Sequence, residues 1–142
     1  MLKIPFLLIS FLIFSSLTAQ VSIKDFEDAS IYFNGLFDKP SSLDQYGNIV
    51  LDMGSASAGR IQFRITDVNI SMEERPEEPG CADICPPRVI INFNCTKSEC
   101  INDPVVPEFG KHSSGSVQIF DLKRGKKVYE YLTALKQFIS RN

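Results

Sequence analysis

Four cysteines stand within twenty residues, spaced C-x3-C-x9-C-x4-C as Cys81, Cys85, Cys95 and Cys100. Thiols in such a group can hold a metal, run redox chemistry or form bridges. Structural zinc sites present two close pairs on separate knuckles. Here most of the middle gap is the strand-like run Arg88–Asn94, which leaves little room for two knuckles to converge. A C-x-x-C redox pair is missing. An even cysteine count in an exported chain points to disulfides, so all four are expected as disulfide cysteines and none as a metal ligand. Four cysteines allow three pairings. Cys95–Cys100 is favoured because Thr96–Glu99 would close a four-residue turn, and that leaves Cys81–Cys85 in a proline-rich loop.

The other chemistry-bearing residues are charges. Lys123, Arg124, Lys126 and Lys127 form a tight basic cluster, and Glu73, Glu74, Glu77 and Glu78 an acidic one. Residues 111–142 carry seven Lys and Arg against two Asp and Glu, whereas residues 20–110 carry seven against fifteen. Opposite patches of this kind can steer a charged partner. Catalytic groupings are not recognisable. The single histidine, His112, lies beside two serines in a polar stretch, with no G-x-S-x-G elbow anywhere. Gly54–Gly59 lacks the Lys-Ser/Thr ending of a phosphate loop and is expected to be a hairpin loop. Asn69 and Asn94 both fit the glycosylation acceptor pattern. An enzyme is therefore not the expectation, and neither is a cofactor.

The chain opens MLKIPFLLISFLIFSSLTAQ, with one lysine, an apolar run over Ile4–Phe14 and then small residues up to Ala19. That is the layout of a cleaved secretory signal peptide over residues 1–19. The apolar run falls short of the roughly 20 residues needed to span a bilayer. Residues 20–142 are then one small domain, secreted or periplasmic, and the 44% hydrophobic content of the whole chain is that of a globular protein.

These residues must be positioned by a modest set of elements. Ser22-Ile-Lys-Asp25 has the form of a capping box, and Phe26, Ala29, Phe33, Leu36 and Phe37 follow it at helical spacing. Tyr46-Gly47-Asn48 is a turn leading into a strand at Ile49. Arg60–Val68 alternates as a half-buried strand, and the apolar parity shifts after Asp67, which predicts a bulge or a strand end. Glu73–Pro87 is rich in Glu and Pro and predicts no regular structure. Arg88–Cys95 and Val117–Phe120 are the remaining strands. Val128, Leu132, Leu135 and Ile139 form an apolar stripe that predicts a helix over about 126–140, packed on the face of Ile61, Phe63 and Ile65.

The fold class is thus α+β: an antiparallel sheet of four strands or slightly more, with an N-terminal and a C-terminal helix. The closing order of strand, basic turn and helix resembles pleckstrin-homology-like domains, and that resemblance implies a PH-like sheet. Two functions are expected. The first is an exported, disulfide-stapled module contacting a protein or other macromolecule through the acidic loop, the basic turn or both, with no nucleic acid involved. The second is a binder of a small anionic ligand at Lys123, Arg124, Lys126 and Lys127.

Overall fold

The computed structural model describes residues 23–36, 41–52, 60–80, 84–104, 108 and 110–142. The expected signal peptide and the Gly54–Gly59 loop lie outside the described residues. Helix α1 covers Phe26–Leu36 and buries Ala29 and Phe33. Its cap is Asp25 itself, whose Oδ1 accepts from the Asp28 N–H at 2.9 Å, an orphan donor of the first turn.

Strands β1 (Ser42–Leu43) and β2 (Asn48–Asp52) flank a turn built on Asp44. Its carboxylate accepts from the Tyr46 and Asn48 N–H groups, and Gly47 supplies the positive φ of 80°. Strand β3 (Arg60–Arg64) pairs with β2 from Asn48↔Arg64 to Asp52↔Arg60.

The expected strand Arg60–Val68 is broken. Residues Ile65–Asp67 form a 3-10 turn, after which β4 runs over Val68–Arg75. The shift of apolar parity after Asp67 has its cause here: the chain leaves one sheet and enters another.

Strands β4 and β7 (Arg88–Cys95) pair antiparallel over their full lengths. Between them, Glu73–Pro87 is not irregular as expected. Strand β4 continues to Arg75, and β5 (Glu78–Pro79) pairs with β6 (Ile84–Cys85). The register that sets Arg75 opposite Arg88 also sets Glu78 opposite Cys85, so the four strands are one ribbon with a gap. Prolines make the gap. Pro86 has no N–H for the next bonded pair, and Pro76 and Pro87 stand opposite each other with no donors to offer neighbouring strands.

The remaining strands are β8 (Ile101–Asn102), β9 (Lys111–His112) and β10 (Ser114–Ile119). The expected single sheet of about four strands is therefore three antiparallel sheets among the described residues. Their orders are β1-β2-β3-β8-β9, β10-β7-β4 and β5-β6. The first two face each other through one core, where the Phe63 and Phe93 rings stand 4.6 Å apart.

Helix α2 spans Leu122–Arg141 and buries Val128, Tyr131, Leu132 and Leu135. It lies mainly on β7, β4 and β10 and also meets the Ile65–Asp67 turn. The expected face of Ile61, Phe63 and Ile65 is thus met at its Ile65 end, and the rest of the packing surface is the three-stranded sheet. The long β4–β7 ribbon offers the wider apolar surface, with Val68, Val89 and Ile91 fully buried. The Tyr131 hydroxyl donates to the Ala29 carbonyl and ties α2 to α1.

Candidate functional site

The basic cluster does not form a turn before the last helix. It lies inside that helix, which begins at Leu122, four residues earlier than the stripe alone predicts. The start signal is Asp121, whose Oδ1 accepts from the Arg124 N–H at 2.8 Å. Lys123, Lys126 and Lys127 are exposed on the solvent side, and Arg124 is half-buried. Gly125, in the middle of the cluster, has a packing role. It is buried in the helix, and a Cβ there would lie 2.5 Å from the Val89 Cβ. Glycine is present so that α2 can approach β7 closely.

Register brings the acidic and basic clusters together. Glu74 pairs with Val89 across the β4–β7 ladder, and Gly125 packs on that same Val89. Lys126 Nζ then reaches Glu74 Oε1 at 3.0 Å. Farther out, Arg88 donates to Glu78 Oε1 at 2.6 Å, and Arg75 pairs with Glu73 at 2.8 Å. The two clusters are neighbours at one end of the three-stranded sheet, and part of their charge is used internally.

That end also carries uncovered apolar surface. Phe120 is 60% exposed and Ile84 58%, with Leu122 at the edge of exposure. Phe120 and Leu122 flank the capping Asp121, and Ile84 lies on the ribbon beyond the proline gap. The sequence reading missed these three residues. A signal was available for two of them: Phe120 and Leu122 bracket a capping aspartate, where the apolar stripe of α2 has not yet begun.

The thiols are bridges where they are described. Cys95 and Cys100 are bonded at 2.06 Å, closing the turn after β7. Cys85 is also disulfide-bonded, and the Cys81 end of the expected Cys81–Cys85 bridge lies outside the described residues. His112 is exposed and forms part of β9 rather than a loop, its carbonyl accepting from the Cys100 N–H. Asn69 and Asn94 stand directly opposite each other on β4 and β7, both exposed.

A second feature is a groove of about 430 Å3 between β4 and the last turns of α2, lined by Asn69, Ile70, Thr133, Lys136, Ser140 and Arg141 among others. Lys136 Nζ donates to the Val68 carbonyl there at 2.6 Å. Among the described residues no helix is long and apolar enough to cross a membrane. Comparison of the chain with protein-family models, with curated proteins and with solved structures found no match. The resemblance to pleckstrin-homology-like domains thus gains no support from known folds.

Proposed function

We propose that this chain is an exported, disulfide-stapled interaction module that docks a partner protein with the far end of its three-stranded sheet. One observation carries the reading. Three of the four large hydrophobics exposed among the described residues, Ile84, Phe120 and Leu122, belong to the end of the sheet where the acidic ribbon and the basic start of α2 lie. Exposed apolar residues scattered singly are ordinary, but grouped ones rimmed by charge mark contact surfaces. Lys123 and Lys127 supply a cationic rim on one side and the Glu77 stretch an acidic one on the other, which suits orientation of a partner more than raw affinity.

The geometry favours this over capture of a small anion. The first turn of α2 already has an anion of its own in Asp121, and Lys126 is engaged by Glu74. The test is affinity capture from the native exported compartment with four baits: wild type, Phe120→Ser, Ile84→Ser and Tyr46→Ser. Tyr46 is the fourth exposed hydrophobic, 61% exposed in the β1–β2 turn, and serves as the control. A partner retained by wild type and Tyr46→Ser but lost by the other two supports the reading. Equal capture by all four refutes it.

A further inference from the structure

We infer that two copies of this chain join through β4, edge to edge, into one antiparallel sheet across a two-fold axis. The argument begins with hydrogen-bond parity. Thr96 N–H donates to the Asp67 carbonyl at 2.8 Å, so Asp67 and every second residue after it turn their backbone groups toward β7. Val68, Ile70, Met72 and Glu74 therefore turn theirs outward. Two contacts agree with that parity: the Val68 carbonyl is taken by Lys136 from outside the sheet, and Cys95 N–H turns away from β4 to the Ser113 carbonyl.

Strand β4 is an edge of its sheet and eight residues long. Natural edges are blunted by proline, lysine, bulges or a covering element. Among the described residues only the ends of β4 are treated in this way. Lys136 takes the Val68 carbonyl at one end, and Pro76 offers no donor beyond the other. Between them the outward groups of Ile70 and Met72 have no partner among the described residues.

A second copy fits this edge better than a foreign strand does, because the charges are self-complementary. With the axis at Met72, Ile70 faces Glu74 of the second copy, Ser71 faces Glu73 and Asn69 faces Arg75. No like charges stand directly opposite each other. Ile70 lines the groove that holds Lys136 and Arg141, so Glu74 of the second copy enters a cationic groove, and the two-fold repeats the contact. The Glu74 carboxylate is exposed and, among the described residues, paired with Lys126. Three residue pairs then exchange about six backbone hydrogen bonds. This surface is separate from the docking end proposed above, and either can fail without the other.

The axis places Met72 opposite Met72, which gives a charge-complementation test. Wild type should sediment at twice the monomer mass. Met72→Lys and Met72→Glu should each sediment as monomers, because like charges then face each other, and mixing the two should restore the dimer. The restored mixture also shows that both variants are folded. In amide exchange the Ile70 and Met72 N–H groups should be protected in wild type and unprotected in either variant alone. A wild type that remains monomeric at submillimolar concentration overturns the inference. So does a dimer that persists in both variants, or a mixture that stays monomeric with both variants folded. A monomeric wild type whose β4 amides become protected only on adding an unrelated strand peptide would assign the edge to a foreign segment.

Discussion

Gly125 shows how one missing methyl sets the distance between two elements. Helix propensity alone says that Gly→Ala in a helix interior gains roughly 1 kcal/mol. The close approach to Val89 opposes this, because a Cβ at 2.5 Å from another Cβ forces the helix to move. Overpacking of this kind costs typically 1–3 kcal/mol, so Gly125→Ala should lower the unfolding midpoint. Val89→Ala should recover part of the loss when combined with it. A raised midpoint for Gly125→Ala would mean that α2 does not press on β7. Asp44 is the corresponding case in charge. Slight burial acts to raise its pKa, but hydrogen bonds from Asn48 and Tyr46 and the charge of Arg64 outweigh it and hold the carboxyl below its ordinary value. A depressed folded pKa contributes stability that is present above the unfolded pKa and is lost as pH falls through the folded one. Chemical denaturation across the acid range should therefore show Asp44→Asn losing less stability than wild type below the usual carboxylate range. Parallel curves would remove Asp44 from the account.

Among the elements, the sequence was most legible where one periodicity ran without interruption. Of the stripe Val128, Leu132, Leu135 and Ile139 the first three are buried and Ile139 is partly buried, and the strand Arg88–Cys95 has the predicted bounds. Legibility failed where backbone donors rather than apolar pattern decide. Pro76, Pro86 and Pro87 suggested that nothing regular could form over Glu73–Pro87, yet β4 runs on through Glu73 and Glu74 to Arg75 before them. Pairing partners were hidden as well, because the choice between Phe63 and Val89 as the surface under α2 rests on which strands adjoin. The candidate site was half legible: both charged clusters were visible, but only register shows that Glu74 and Lys126 meet. The turn closed by Cys95–Cys100 was legible as the favoured one of three pairings, since four residues between two cysteines at a strand end can close a turn. A loop so short constrains the unfolded chain weakly, by roughly 2 kcal/mol on the chain-entropy estimate. Replacing both cysteines by alanine should leave a folded protein with a modestly lowered midpoint, and a double variant that cannot fold would make this bridge a structural requirement.

The molecule as a whole is held by the places where one strand passes between sheets. The 3-10 turn Ile65–Asp67 carries the chain from β3 to β4, and Ser113 carries it from β9 to β10. Each is a hinge in the backbone but not in the packing. Ile65 is fully buried, its N–H donates to the Gly47 carbonyl, and Phe63 from one sheet meets Phe93 from the other. Neither large sheet has an apolar face that it could hide alone. An isolated two-stranded hairpin is marginal in water, and the five-stranded and three-stranded sheets here bury their apolar residues in one shared core. The two sheets should consequently open together. Native-state amide exchange should return one common free energy for the slowest amides of β2–β3 and of β4–β7, and Phe93→Ala should lower both by the same amount, about 3–5 kcal/mol for a buried ring. If β2–β3 exchanged through a separate, cheaper opening that Phe93→Ala left unchanged, the sheets would be independent units, and the shared core inferred from the Phe63–Phe93 contact would not be what joins them.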